Sequence, residues 1–184
     1  MRAEVPLTPG NSKFDWMGSG IYFWESDPVR ALEWAQQKAK RGACKDPYVI
    51  GAVIDLRNCL DLLVRENVEL VRFAYASFKE VQTKAGLVMP ENKEAPKDKS
   101  PDLVMRFLDC AVLNHLHSII AGPSRPPNFE PYDSVRAVFR EGQPIFAGSM
   151  LSDKNHVQIA VRNPQCIKGV FIPLDVANIP STGG

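Results

Sequence analysis

Hydrophobic and polar positions along this chain follow two periods, and the switches between them mark its elements. Residues 21–24 (Ile-Tyr-Phe-Trp) are aromatic or β-branched and predict a short strand. Gly18 and Gly20 stand just ahead of it, where backbone must turn tightly or lie close to a ligand. A helix follows. Asp27 is a natural N-cap, and Pro28 suits the first helical position, where its missing N–H costs nothing. Ala31, Leu32, Ala35 and Ala39 share one face, and Gly42 stops the helix. The near-continuous apolar run 48–56 predicts a buried strand. Val68, Val71, Tyr75, Phe78 and Ala85 recur at helical spacing and predict a helix over 65–85, ended by Gly86. Residues 90–101 are charged, proline-rich and aperiodic, and are expected to form a mobile loop. A third helix over 102–120 is apolar on more than one face (Leu103, Phe107, Val112, Leu116) and should be central. Three strands at 134–140, 157–161 and 169–172 close the chain, and residues 1–13 read as a loose N-terminal arm.

Strands and helices alternate irregularly, with strands dominating the last third. That pattern predicts a single α+β domain over 1–184 rather than a doubly wound parallel sheet. The 184 residues, 45% of them hydrophobic, suffice for a core that needs no disulfide or metal. The 22 basic and 21 acidic residues nearly cancel, which gives no strong field for nucleic acid or a membrane surface. Cys44, Cys59, Cys110 and Cys166 are too far apart for zinc-knuckle or CxxC spacing. They read as reduced thiols, and a cytoplasmic location is expected. No apolar run reaches the roughly 20 residues of a membrane span, and Met1 to Pro6 has no signal core.

Familiar chemical motifs are missing. The chain has no GxGxxG after a strand, no GK[ST] loop and no GxSxG elbow. His115 and His117 lie two apart on a helix and so on different faces, which is poor metal geometry. Cys110 has no base placed to activate it as a nucleophile. The distinctive stretch is Gly18-Ser19-Gly20-Ile21-Tyr22-Phe23. Its small residues let main chain approach a planar ring or amide, and Tyr22 offers a flat face for stacking. Ordinary strand packing after a glycine turn is the plainer reading of the same residues. Trp16 and Trp24 bracket the stretch as packing or as walls of a site. Glu25 is either a solvated turn residue or a carboxylate near a sugar. Arg136, Arg140 and Arg162 are phosphate candidates or surface charge.

Gly18-Ser19-Gly20-Ile21-Tyr22-Phe23, followed by an acidic turn and an alanine-rich helix, resembles the second motif of ADP-ribosyltransferases, nearest to the poly(ADP-ribose) polymerase and diphtheria-toxin branch. The resemblance implies a split antiparallel β-sheet with flanking helices, and NAD as co-substrate. Gly20 would clamp the nicotinamide carboxamide through its backbone, with Gly18 and Ser19 beside it, and Tyr22 would stack on the ring. The stretch from Asn155 to Ile167 resembles the family's late strand. No glutamate stands there. Gln158 is the counterpart by character, with His156 on the same face, and these two would orient ribose and acceptor. The preceding loop, 147–154, corresponds to the family's target-recognition loop. The family's first motif, an early His or Arg strand, has no counterpart before Gly18. An Asp-Trp-x-Gly-x-Gly-Ile-Tyr-Phe-Trp-Glu stretch and a His-x-Gln-Ile-Ala-Val-Arg-Asn-Pro stretch are also similar to those of a family of bacterial proteins, over most of the chain.

Two functions follow from the resemblance. One is an NAD-dependent mono-ADP-ribosyltransferase, a toxin or defence effector, acting on a protein or nucleic-acid acceptor and held in check by an antitoxin-like partner. The other is a catalytically degenerate domain that keeps the fold and binds a ligand or partner. A 2′-phosphotransferase of the same fold would need more basic residues near these motifs than the chain supplies.

Overall fold

The computed structural model describes residues 7–94, 102–123 and 125–173. Its elements are β1 (Ile21–Trp24), α1 (Pro28–Lys40), β2 (Gly51–Ile54), β3 (Cys59–Asp61), α2 (Arg65–Lys84), α3 (Phe107–Ala121), β4 (Ser134–Phe139), β5 (His156–Val161), a 3-10 turn (Pro164–Cys166) and β6 (Ile167–Phe171). The fold is α+β. Four strands form one sheet in the order β1-β5-β4-β3, and β2 pairs with β6 in a separate two-stranded sheet.

The sheet is split, but it is mixed rather than antiparallel throughout. The β1–β5 and β5–β4 pairs are antiparallel, while β3 runs parallel to β4. The cause is connectivity: the chain leaves β3, makes α2 and α3, and only then returns as β4, a crossover long enough for a parallel pair.

Alternation along β5 divides its side chains between two faces. Ala160 with Val135 and Ala137 of β4 joins the main core, which Met17, Leu60, Val112, Leu113, Leu116 and α2's Phe78 complete. Helix α3 is therefore central, as its two-sided apolar pattern predicts. It starts at Phe107 rather than near 102, because its free N–H groups are capped from a distance: Leu108 and Asp109 donate to Asn92 Oδ1 at 2.9 and 3.4 Å. On the other face, Ile21, Ile159, Val161 and Cys166 form a smaller cluster that joins the four-stranded sheet to Ile54, Leu56 and Ile167.

Helix α1 begins as expected, with Asp27 Oδ1 accepting from Arg30 N–H at 2.9 Å and Pro28 at the first position. Gly42 takes φ +76 just beyond its end. Its one buried residue is Arg30, while the apolar face is half-exposed. The run 48–56 is not the buried strand its composition predicts: only Gly51–Ile54 is strand, and Tyr48 and Val53 are exposed. Its single partner is β6, at the margin of the molecule. Of the expected loose arm, residues 1–6 lie outside the described residues, and Gly10 is tied to Gly20 by a bridge. Of the loop expected at 90–101, residues 95–101 lie outside them, and Lys93 bridges Met105.

Candidate functional site

The turn ahead of β1 is built by convergence. Gly18 has φ +86, and a Cβ there would lie 2.7 Å from Asn114 Oδ1 and 3.2 Å from the His117 ring, so only glycine fits. Asn114 Oδ1 accepts from Ser19 N–H at 3.2 Å, and Arg162 Nη1 donates to the Ser19 carbonyl at 3.0 Å. Gly20 faces Gly10, with N–H to carbonyl bonds in both directions at 3.2 and 2.8 Å. The Ser19 hydroxyl donates to the Gly10 carbonyl at 2.9 Å. The backbone of the Gly18-Ser19-Gly20 turn thus spends its hydrogen bonds inside the protein.

His156 and Gln158 share one face of the sheet, as the sequence implies, and the pairing of Tyr22 with Ala160 brings Tyr22 to the same face. That face is the one turned toward the core. The Tyr22 hydroxyl donates to the Gly18 carbonyl and accepts from Met17 N–H, both at 2.9 Å. Burial holds its pKa well above the ordinary phenol range. Gln158 Oε1 accepts from Trp16 Nε1–H at 2.7 Å. Gln158 Nε2 donates to His156 Nε2 at 2.8 Å, and His156 Nδ1–H donates to the Lys154 carbonyl at 2.7 Å. Because a carbonyl only accepts, these bonds fix His156 as the neutral Nδ1–H tautomer. Burial lowers its pKa in the same sense. His156 stacks on Phe139 at 5.4 Å, and Trp16 meets Phe139 edge-on. His156 and Gln158 are both buried.

The other candidates have structural partners. Glu25 is partly exposed but not free: Arg136 donates to its carboxylate at 2.6 and 3.1 Å and to Asp61 at 3.1 Å. The Glu25 hydrogen bonds raise the Arg136 pKa. Arg162 is half-buried and pins the glycine turn. Its desolvation lowers its pKa. The loop 147–154 is tied to the segment before it, Ile145 N–H donating to the Leu151 carbonyl at 3.0 Å, and its Met150 and Leu151 are exposed. His115 bonds Ser77 while His117 lies buried, so the two part as expected. Among the described residues, no group of three His, Cys, Asp or Glu side chains is placed to hold a metal. None of the described helices is long and apolar enough to cross a membrane.

Open space lies beside this network rather than in it. A cleft of about 790 Å³ runs along β1, with consecutive residues Ile21 to Asp27 in its floor. Consecutive strand residues alternate faces, so a cavity that touches all of them lies at the strand's edge. One wall is Ala31, Trp34 and Ala35 of α1, and the other is the segment from Tyr48 to Ala52. Three carboxylates, Glu25, Asp27 and Asp46, line it against one ammonium, Lys38, which sits 5.6 Å from the Trp34 ring centroid. A shallower hollow of about 420 Å³ adjoins it at Glu25, Ser26 and Asp27. No periodicity marks this cleft in the sequence. Its one local signal is Trp34 on an otherwise small-residue helix face. Comparison with family models, with curated proteins and with solved structures found no match.

Proposed function

We propose that this chain is a binding domain built on an ADP-ribosyltransferase-like split sheet, and that its partner enters the cleft beside β1 without being chemically altered. The observation that carries this reading is the closed hydrogen bonding of Tyr22, His156 and Gln158. A residue that acts on NAD must offer the sugar or ring a free polar atom or an open face. Here the polar atoms of all three side chains are taken up by the protein itself.

The residues in place also do not match NAD as a ligand. The Gly20 N–H and carbonyl, which would clamp the carboxamide, are bonded to Gly10. A pyrophosphate brings two negative charges, and the cleft lining adds Asp27 and Asp46, outside any ion pair among the described residues, against Lys38. Gln158 has no charge with which to stabilise an oxocarbenium-like transition state.

The test is nicotinamide release by the purified chain incubated with NAD, alongside Gln158→Ala and Tyr22→Ala. Release at the no-protein rate from all three is the expected result. Release by the parent chain that either substitution abolishes would restore the mono-ADP-ribosyltransferase reading, with an acceptor and an antitoxin-like partner then to be sought.

A further inference from the structure

We infer that the partner is an extended peptide segment bearing lysine or arginine, which adds to β1 as a further strand along the floor of the cleft. The inference rests on the binding-domain reading above and names its partner class.

The first argument is the unspent edge of β1. Residues 20, 22 and 24 point their backbone groups to one side of the strand, and 21, 23 and 25 to the other. Two observations fix which side is which. Glu25 N–H donates to the Val157 carbonyl of the β5 segment at 2.9 Å, whereas Gly20 exchanges both bonds with Gly10 across the opposite edge. The N–H and carbonyl groups of Tyr22 and Trp24 therefore point away from β5, and they have no partner among the described residues. The chain forms a rung on this edge at Gly10–Gly20, with Leu7 at the margin of the cleft, and among the described residues it makes none at Tyr22 or Trp24. Such an edge is a template for a further strand.

The second argument is the shape of the surroundings. Edge strands are ordinarily blunted by a covering helix or loop. Here α1 and the segment from Tyr48 to Ala52 stand back on either side, leaving the roughly 790 Å³ cleft over the edge. Its walls are rigidly supported on one side, since Arg30 of α1 is clamped by Glu141 through bonds of 2.7 to 3.1 Å.

The third argument is charge. Glu25 is paired with Arg136, but Asp46 and Asp27 form no ion pair among the described residues, and these two carboxylates face Lys38 alone. Trp34 and the exposed Tyr48 add flat faces on opposite walls, where the stems and charged heads of lysine or arginine pack well. A strand added here would place alternate side chains toward these walls, so the fitting sequence alternates basic with apolar residues.

The experiment uses four synthetic hexapeptides, blocked at both ends, titrated into the whole chain by calorimetry and tryptophan fluorescence. One alternates Lys with Val, one alternates Glu with Val, and two are the Lys/Val peptide N-methylated at every second backbone amide, one in each phase. The expected result is saturable binding of the Lys/Val peptide, at a Kd below about 1 mM, and none of the Glu/Val peptide. Asp46→Lys, an exposed change on the cleft lip, should weaken that binding about tenfold. One phase of N-methylation should abolish binding while the other retains it, because only one set of amides faces β1. Equal binding of Lys/Val and Glu/Val peptides, equal binding of both N-methylated phases, or no binding at all would overturn the inference. NAD turnover is measured separately in the same preparation. Turnover alone would overturn the binding-domain reading, while the peptide result judges strand addition independently.

Discussion

The buried histidines are the residues whose chemistry is most constrained. Burial lowers the His117 pKa to about 3, and the Arg162 charge pushes the same way. His156 is also lowered, chiefly by burial. Each stays neutral in the folded chain at pH values where an unfolded histidine, with a pKa near 6.5, takes up a proton. The sign of the linkage follows. Between pH 6.5 and the folded value the unfolded state binds more protons, so stability is full above 6.5 and is lost as pH falls. For His117 the slope approaches about 1.4 kcal/mol per pH unit well below 6.5. The urea midpoint should therefore drop on going from pH 7 to pH 5, and His117→Gln should lessen the drop even if it lowers the midpoint throughout. Equal pH sensitivity in both proteins would mean that His117 is not held neutral. At this scale the sequence is only partly legible. It placed His156 and Gln158 on one sheet face, because strand period alone decides that, while Tyr22 joins them only through the register of β1 on β5. It could not say that the face turns inward, because Trp16, which covers Gln158, lies 142 positions away.

Among the elements, α1 is the one whose position sets the cleft, and it is held in an unusual way. Its apolar face is half-exposed, and its buried contact is a charged one: Arg30, 5% exposed, donates bidentately to Glu141 in the segment after β4. Glu33 lies 3.7 Å from the same guanidinium and offers a weaker partner. Glu141→Ala would strand a buried cation and should cost about 3–5 kcal/mol, whereas Arg30→Met with Glu141→Leu should recover most of that loss. Urea unfolding of the three variants measures it, and a loss below about 1 kcal/mol for Glu141→Ala would show that the pair does not hold α1 in place. The N-cap at Asp27 and the stop at Gly42 were legible because capping is local chemistry. The clamp was not, since 111 residues separate its partners. Long-range pairing explains the other departures too. Strand β3 is three residues with no alternation to read, and it exists because β4 lies beside it. Helix α3 starts late because Asn92 supplies its cap.

On the scale of the whole molecule, the question is whether two sheets make one cooperative body. The apolar seam between them is small, with Ile21, Ile159, Val161 and Cys166 as its buried members. Taken alone it would permit the β2–β6 sheet to open locally. Polar bonds at one end of the seam oppose that. The Asp133 carbonyl accepts from the N–H groups of Arg162 and Asn163, both at 2.9 Å. Its carboxylate accepts from Asn163 Nδ2 at 2.6 Å and from Asn58 N–H at 3.3 Å. Ser134 Oγ donates to the Leu56 carbonyl at 2.6 Å, and Asp55 N–H to the Cys166 carbonyl at 2.8 Å. These bonds tie the end of β5, the start of β4 and the exit of β2 into one corner, so the sheets should unfold together. The cysteines report it directly. Cys110 lies in the α3 core and Cys166 in the seam, 3% and 0% exposed, and burial raises both thiol pKa values. Cys44 and Cys59 are half-exposed. In native buffer a thiol reagent should label Cys44 and Cys59 and leave Cys110 and Cys166 untouched. In rising urea the last two should become reactive along a single curve, the global unfolding curve. Labelling of Cys166 well before Cys110 would instead mean that the two-stranded sheet opens alone, and that the wall it contributes to the cleft is free to move while the four-stranded sheet stays folded.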